Sequence, residues 1–179
     1  MRPVRYHVAA SLDGRIAGPA GEFDWIPTDP DVDSAALFAR ADTVLLGRHS
    51  WTLVRRQPER PWPPGTRVFV FSRTLTPADA PDATLVRDDA AAIVAALRHE
   101  PGDGEIWRFG GGALFASLLA AGQVDRVEVT VAPVLLGDGV PLLPPGVAGR
   151  TPLALRDVRR YPRSGMVTLT YDVGGAPSA

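Results

Sequence analysis

Short apolar runs alternate along the chain with segments whose apolar residues recur at helical spacing. Residues 4–10, 43–46, 67–71 and 105–109 are rich in apolar side chains and have the length of buried strands. The segments between them carry apolar residues three and four positions apart, which is typical of helices that bury one face. Strands that alternate with helices predict an α/β fold with a mostly parallel sheet.

Four helices are predicted from this spacing. The first begins at residues 31–33, and acidic residues at such a position usually cap a helix. The second follows Gly47, the third is capped at residues 88–89, and the fourth follows the glycines at 110–112. The predicted apolar faces are residues 35–38 in the first helix, Ile93, Val94 and Leu97 in the third, and Leu114, Phe115, Leu118 and Leu119 in the fourth.

The C-terminal third of the chain follows a different pattern. Residues 127–131 alternate valine with polar residues, as expected for a half-buried strand. Residues 153–158 and 166–173 predict a closing antiparallel pair, and proline and glycine predict a loop at 133–141. The length of 179 residues favours a single domain over residues 1–179.

Composition excludes several classes of function. The formal net charge of −1 gives no field that would attract nucleic acid or an anionic membrane. No apolar run approaches the ~20 residues that span a bilayer. The chain has no cysteine and three scattered histidines, so neither thiolate chemistry nor a metal site is expected. We therefore expect a cytoplasmic protein without metal and without a signal peptide.

The run at 105–109 ends in three glycines, Gly110, Gly111 and Gly112, and a predicted helix follows at once. Without Cβ atoms, the backbone of such a turn lets a ligand come close. The N–H groups at the helix start favour an anion, typically a phosphate. The turn is neither a G-x-G-x-x-G motif nor a P-loop. The alternative is a structural turn that only packs a helix against the sheet.

Hydroxyl and guanidinium side chains, which suit a phosphate, follow two further predicted strands. The carboxyl ends of neighbouring parallel strands lie at one edge of a sheet. Three such ends therefore predict a single extended anion-binding rim. The residues concerned are Gly47, Arg48, His49 and Ser50 after the second strand, and Ser72 and Arg73 after the third.

Two residues of the N-terminal loops are candidates for a ligand pocket. Asp13 precedes Gly14 at the end of the first strand, where it either holds a turn or lies at the mouth of a cleft. Trp25 lies in a loop with Phe23, where it either covers the edge of the core or lines a pocket for a planar ligand.

Four motifs, in their order along the chain, resemble the reductase domain of the bifunctional riboflavin deaminase-reductase, which shares the dihydrofolate reductase fold. They are SLDGRIA at residues 11–17, LGR at 46–48, the glycines at 110–112 and LGDG at 136–139. The resemblance extends from about residue 4 to about residue 173. It implies a stand-alone member of that superfamily, with three α/β/α layers and antiparallel C-terminal strands on a mostly parallel sheet.

The resemblance also implies an NADPH-dependent oxidoreductase. Hydride would pass from the nicotinamide to a pyrimidine- or pteridine-like substrate, with Asp13 and Trp25 bordering both. In that family the segment Gly47, Arg48, His49 and Ser50 would face the adenosine 2′-phosphate and the diphosphate, with Ser72 and Arg73 nearby. Gly110, Gly111, Gly112, Ala113 and Leu114 would lie against the diphosphate and the nicotinamide ribose.

The chain departs from that family in two places. Without cysteine it has no zinc deaminase motif. Val32, Ala35 and Ala36 occupy the region where riboflavin-pathway reductases carry arginines for the ribose phosphate, although Arg40 is a possible substitute. A folate-reducing enzyme would present a carboxylate early in the same helix, and Asp31 and Asp33 are the candidates.

The leading hypothesis from the sequence is therefore an NADPH-dependent reductase of the 5-amino-6-(5-phosphoribosylamino)uracil reductase type. The alternatives are a dihydrofolate reductase and a nucleotide-binding module without turnover. Family analogy and the apolar alternation of the closing strands also predict a homodimer.

Overall fold

The computed structural model describes residues 1–146 and 149–174, which form a central sheet with helices on both faces. The strands are β1 (Val4–Ser11), β2 (Arg15–Ala17), β3 (Ala41–Gly47), β4 (Arg67–Phe71), β5 (Thr84–Val86), β6 (Glu105–Phe109), β7 (Arg126–Ala132), β8 (Val140–Pro141), β9 (Leu153–Tyr161) and β10 (Met166–Val173). The helices are α1 (Ser34–Ala39), α2 (Arg48–Arg55), α3 (Ala90–His99) and α4 (Gly112–Ala120).

The main sheet has eight strands in the order β5-β4-β3-β6-β1-β7-β10-β9. The pairs from β5 to β7 are parallel, whereas β10 runs antiparallel to β7 and to β9. The predicted fold, a mostly parallel sheet with antiparallel C-terminal strands in a three-layer arrangement, is confirmed.

Each face of the sheet has its own apolar core. On the α3/α4 face, Tyr6 and Ile106 pack against Phe115 and Leu118 of α4. On the α1/α2 face, Trp107 packs with Trp51 of α2. Helices therefore cover both faces of the parallel strands, which explains why these strands are continuous apolar runs in the sequence.

A cluster of ion pairs fixes α1 over the sheet at the amino ends of the strands. Arg5 is fully buried, and it donates to Glu105 at 2.7 Å and to the carbonyl of Leu37 in α1 at 3.2 Å. Arg40, which follows α1, pairs with Glu105 at 3.0 Å and with Glu128 at 3.7 Å. Arg40 is thus held by two carboxylates at the edge of the sheet opposite the predicted rim.

Three details differ from the sequence prediction. The predicted loop at 133–141 ends in β8, which pairs antiparallel with β2. The strand predicted over 153–158 continues to Tyr161, which still pairs with Met166 of β10; charged residues interrupt the apolar alternation of β9 and so hide its end in the sequence. Helix α1 buries none of its residues completely: Leu37 and Phe38 are half-buried, whereas Ala35 and Ala36 are exposed.

Candidate functional site

The predicted rim is present as a geometric feature. Strands β4, β3 and β6 are adjacent and parallel, so their carboxyl ends lie side by side. Leu46 pairs with Phe109, which places Gly47 and Gly110 next to each other at this edge. Ser50 of α2 is buried against the glycine turn, and a Cβ on Gly110 would clash with its Oγ.

Helices α2 and α4 both begin at this edge without a side-chain cap. Gly47 is the N-cap of α2 and Gly111 that of α4, and neither position carries a capping hydrogen bond from a side chain. The first turn of each helix is also free of acidic residues. Two neighbouring helix starts therefore direct their N–H groups and the positive ends of their dipoles to one region, which suits an anion.

The three glycines of the turn have different surroundings. Gly110 has a φ of 70°, a conformation that favours glycine. A Cβ on Gly112 would lie 2.9 Å from the carbonyl oxygen of Leu142 and 3.0 Å from that of Pro141, so this glycine allows close packing of the 141–144 segment. A Cβ on Gly111 would meet only Ser50 Oγ at 3.6 Å and Arg108 Nη2 at 3.7 Å, which are ordinary contacts. Gly111 is thus the glycine of the turn that packing requires least.

The two residues that follow the glycines in α4, Ala113 and Leu114, differ in burial. Ala113 is exposed on the first turn. Leu114 is half-buried and packs against the core of the α3/α4 face. Of these two predicted cofactor residues, Ala113 therefore lies on the open side of the helix start.

The cationic side chains of the rim are exposed. Arg48 and His49 project from the first turn of α2, and Arg73 follows β4. Within residues 1–146 and 149–174, neither Arg48 nor Arg73 forms an ion pair with a carboxylate. The hydroxyl of Ser72 accepts from the backbone N–H groups of Thr74 at 3.2 Å and Leu75 at 3.1 Å, so it also holds the turn after β4.

An open pocket of about 430 Å³ lies where β4 and β5 end. Arg87, which the sequence reasoning missed, lines it beside Ser72 and Arg73 and donates to the carbonyl of Arg73 at 3.1 Å. The sequence contains a signal for this residue, because Arg87 directly follows the end of an apolar strand, as Arg48 does. The lining residues are Phe71, Ser72, Arg73, Val86, Arg87, Asp88 and Ala90.

Arg108 is a second residue that the sequence did not reveal. It is 1% exposed, on the α3/α4 face of β6, and its guanidinium donates to the carbonyls of Phe109 and Gly111. Its Nε and the hydroxyl of neighbouring Tyr6 are buried without hydrogen-bond partners among the described residues. Burial lowers the pKa of Arg108 to about 10, so the group stays charged at neutral pH.

Asp13 joins two loops at the end of β1. Its exposed carboxylate accepts from the Ser11 hydroxyl at 2.6 Å and from the backbone N–H groups of Leu136 at 3.0 Å and Gly137 at 2.8 Å. These donors lower the pKa of Asp13 to about 2, with the Ser11 hydroxyl as the largest cause. Asp13 is therefore an ionised anchor of the 134–137 loop, which favours the structural interpretation of this residue.

The remaining predicted substrate residues lie on loops and at the start of α1. Half-buried Trp25 donates its indole N–H to the carbonyl of Glu22 at 3.1 Å. Asp33 caps α1 by accepting from the N–H of Ala36 at 2.8 Å. Asp31 is exposed, and its carbonyl accepts from Arg159 of β9 at 2.8 Å. Neither aspartate is a buried carboxylate.

The α1/α2 face carries a polar row that sequence reasoning also missed. It consists of His7 on β1, Thr130 on β7 and Thr168 on β10, with His7 Nε2 3.4 Å from Thr130 Oγ1 and the two threonine hydroxyls 2.8 Å apart. His7 and Thr130 are only half-buried although β1 and β7 are interior strands. Burial, with Arg5 and Arg40 nearby, lowers the pKa of His7 to about 3, which keeps the imidazole neutral.

An aromatic wall adjoins the polar row. His7 pairs in register with Phe109, and its ring centroid lies 5.8 Å from that of Trp107. Trp107 in turn lies 4.6 Å from Phe38 of α1 and 5.5 Å from Phe109. Trp107 is fully buried, whereas Phe38 and Phe109 are half-buried. Half-buried rings such as these two, beside hydroxyl and imidazole groups, suit a planar ligand with polar edges.

The described residues lack the features of a metal site and of a membrane-spanning helix. They contain no group of three or more histidine, aspartate or glutamate side chains that would hold a metal ion. None of their helices is long and apolar enough to cross a bilayer.

The order of the strands and the two helix starts at their carboxyl ends match the dihydrofolate reductase fold. Dihydrofolate reductase from Enterococcus faecalis, solved with NADP(H), has the same fold with a TM-score of 0.66 at 16% identity, over 97% of each chain. The chain belongs to the RibD C-terminal domain family, which matches residues 2–167.

Two similar proteins match the chain over nearly its whole length. A protein from Shewanella sp. PV-4, named for riboflavin biosynthesis, has a TM-score of 0.82 at 29% identity, over 97% of this chain and 99% of its own. YyaP of Bacillus subtilis (strain 168) is 32% identical over 185 residues, which is 97% of this chain and 96% of YyaP. The family and its structural neighbours are reductases.

Proposed function

We propose that this protein is an NADPH-dependent reductase of the riboflavin-biosynthesis type that reduces a planar, pyrimidine- or pteridine-like heterocycle. The observation that carries the proposal is the pair of uncapped helix starts around the glycine turn, at the edge where three parallel strands end. Membership of a reductase family supports the same reaction class.

The residues at this edge fit a dinucleotide. Gly111 lies between Ser50 and Arg108 with space for a ligand to approach its backbone, and the starts of α2 and α4 would bind the diphosphate. Arg48 and Arg73 would bind the adenosine 2′-phosphate, since both are exposed and outside ion pairs with described carboxylates. Arg87 would complete that subsite from the β5 side of the pocket.

The substrate would lie on the α1/α2 face, over the polar row and against the aromatic wall. His7, Thr130 and Thr168 offer donors and acceptors to the edge of a heterocycle, and Phe109 offers a ring face. Because the imidazole of His7 is neutral, it can both donate and accept a hydrogen bond. Trp25 and Asp13 would border this space from the loops.

NADPH, when bound, supplies the hydride for the reduction. The protein's part is to orient the two ligands and to exclude water from the space between them. The proton that balances the reduction is proposed to come from solvent, because the lowered pKa of Asp13 leaves that carboxylate without a proton at neutral pH.

The two alternatives are less well supported. A dihydrofolate reductase needs a buried carboxylate at the pterin pocket, and both Asp31 and Asp33 are exposed, with Asp33 engaged as a helix cap. A binding module without turnover does not require His7 and Thr130 to remain partly accessible on interior strands. We therefore favour an enzyme.

The test is a pair of cofactor titrations followed by a turnover assay. Fluorescence of the buried tryptophans reports the affinities for NADPH and NADH, and a panel of pyrimidines and pteridines is then screened for oxidation of the bound cofactor. A phosphate–guanidinium pair contributes about 1.5–3 kcal/mol. We thus expect NADPH to bind roughly tenfold or more tightly than NADH, and Arg48→Ala to reduce that ratio.

Arg56→Ala is the matched control, since Arg56 is an exposed arginine that follows α2 at its opposite end. It should keep the wild-type ratio. Equal affinities for the two cofactors, or an unchanged ratio in Arg48→Ala, would refute the assignment of the 2′-phosphate site.

A further inference from the structure

The most unusual charge in the molecule is the guanidinium of Arg108. It lies within the core of the α3/α4 face, with its Cζ 5.8 Å from the centre of the Tyr6 ring. The other fully buried arginine, Arg5, pairs with Glu105 at 2.7 Å. Arg108 has no such carboxylate among the described residues, and its hydrogen bonds go to two backbone carbonyls. A buried cation without a counter-charge destabilises a fold.

The two carbonyls that accept from Arg108 belong to the glycine turn and its entry. In a trans peptide, the C=O of one residue and the N–H of the next point in opposite directions. Holding the C=O of Phe109 toward the core therefore turns the N–H of Gly110 away from Arg108. Holding the C=O of Gly111 does the same for the N–H of Gly112, the first residue of α4.

The charge of Arg108 lies on the carbonyl side of the turn, directly behind the peptides whose N–H groups point the other way. A Cβ on Gly111 would be 3.7 Å from Arg108 Nη2 and 3.6 Å from Ser50 Oγ, so the guanidinium and the hydroxyl flank the same peptide. A charge in a low-dielectric interior acts on a nearby anion more strongly than a charge in water does. The buried guanidinium thus lies directly behind the glycine turn, close enough for its charge to act across the peptides on an anion at the uncapped start of α4.

We propose that Arg108 is a positioning residue for anion binding at the glycine turn, where it orients the backbone N–H groups and supplies the counter-charge for a diphosphate. This inference rests on the proposed function for the identity of the ligand, a dinucleotide diphosphate. It assigns the positive charge of the site to a core residue of β6, in addition to the exposed arginines of the rim. The missing carboxylate partner of Arg108 is then explained, because the anion of the ligand replaces it.

The experiment measures the binding of inorganic pyrophosphate and of NADPH, and the melting temperature, in wild type, Arg108→Met and Arg98→Met. Arg98→Met is the matched control, because Arg98 is also a buried arginine but pairs with Asp125 at 2.6 Å. In Arg108→Met we expect both affinities to fall by about tenfold or more, the size of a lost charge-assisted interaction. Arg98→Met should bind both ligands as wild type does.

The melting temperature separates positioning from a purely structural role. Loss of an unpaired buried charge should leave Arg108→Met as stable as Arg98→Met or more stable, whereas loss of a structural arginine would lower stability and leave the affinity of the folded protein unchanged. If Arg108→Met does not fold, Arg108→Lys replaces it. Lysine keeps the charge but lacks the fork that holds two carbonyls, so affinity should still fall, by roughly threefold or more.

The outcomes distinguish this inference from the proposed function. NADPH binding that is the same in wild type and in the Arg108 variant overturns the inference and leaves the reductase proposal intact. Pyrophosphate binding that depends on Arg108, in a protein that does not bind NADPH, supports the inference and overturns the proposed cofactor.

Discussion

Asp13 and Arg108 carry opposite charges near the same edge of the sheet, and their environments differ in kind. Asp13 is exposed, yet hydrogen bonds from Ser11, Leu136 and Gly137 satisfy its carboxylate. Arg108 is buried, and its charge has no carboxylate partner among the described residues. The negative charge thus ties two loops together, whereas the positive charge is the one that we propose acts on a bound anion.

The anchoring role of Asp13 predicts a specific dependence of stability on pH. A carboxyl whose pKa falls on folding adds stability above its unfolded pKa of about 3.9 and loses it as pH falls toward the folded value. The folded pKa of Asp13 is about 2, so this contribution should disappear between about pH 4 and pH 2. Thermal melts of Asp13→Asn should lack that acid step. They should also show a lower melting temperature at neutral pH, because the NH₂ group of asparagine donates and cannot accept the N–H that one carboxylate oxygen of Asp13 accepts.

Asp138→Asn is the control for these melts, since Asp138 is exposed and its side chain accepts, among the described residues, only from the adjacent Gly139 N–H, at 2.7 Å. Turnover tests the further proposal that Asp13 also orients the substrate. On that proposal Asp13→Asn should lose about tenfold or more of its turnover while NADPH affinity stays near wild type. Normal turnover in a folded Asp13→Asn would leave Asp13 as a loop anchor alone.

At the scale of elements, the glycine turn between β6 and α4 contains a glycine that packing requires, Gly112, beside one that we propose for cofactor binding, Gly111. Gly112→Ala should lower stability by about 1–3 kcal/mol, because its Cβ would press on the backbone of the 141–144 segment. Gly111→Ala should fold with little loss, since its Cβ would make ordinary contacts, but should weaken NADPH binding by about tenfold or more. Melting curves and fluorescence titrations of the two variants check this. The turn is merely structural if Gly111→Ala binds NADPH as wild type does.

Interior strands were the elements that the sequence predicted best. Strands β3 and β4 are covered on both faces, so each reads as an unbroken apolar run. Strands β2 and β8 have three and two residues and pair across 123 or more positions of sequence, which leaves no local pattern to recognise. The edge strand β9 was predicted too short, because its charged residues interrupt the apolar alternation.

The sequence predicted the candidate-site residues that follow the ends of strands. It did not predict those that lie within strands, whose role depends on the face of the sheet that they occupy. Arg48 and Arg73 follow apolar runs, so their place at one edge of the sheet comes from the order of elements. His7 and Arg108 lie inside apolar runs, and which face each occupies depends on register with neighbouring strands. Sequence alone does not contain that register, so neither residue was identified.

At the scale of the whole molecule, the two ends of the sheet have different roles. The amino ends carry the paired charges of Arg5, Arg40, Glu105 and Glu128, which hold α1 in place. The carboxyl ends carry uncapped helix starts and exposed arginines. Paired charges at the amino ends and exposed arginines at the carboxyl ends are therefore separated along the strand direction. On the proposed function, variants at the rim should change ligand binding more than folding.

The exposed apolar residues of the edge strand β9 predict how two copies of the molecule assemble. Leu153, Leu155 and Val158 of β9 are 39%, 51% and 47% exposed, and they pair with the apolar positions of β10 that face the α3/α4 side. An apolar row on an edge strand is a surface that a second copy can cover by two-fold symmetry. We propose a homodimer through β9, and light scattering at micromolar concentration should give twice the mass of the chain.

Leu155→Asp tests which surface forms that dimer. A carboxylate in each half of the interface would be buried without a partner, at a cost of several kcal/mol, so the variant should be monomeric with an unchanged fold. Leu135→Asp places the same charge on an exposed leucine of the 133–139 loop and should remain dimeric. A wild-type protein that is monomeric contradicts the dimer itself. A Leu155→Asp variant that stays dimeric shows instead that the copies meet elsewhere and that the apolar row of β9 has another partner.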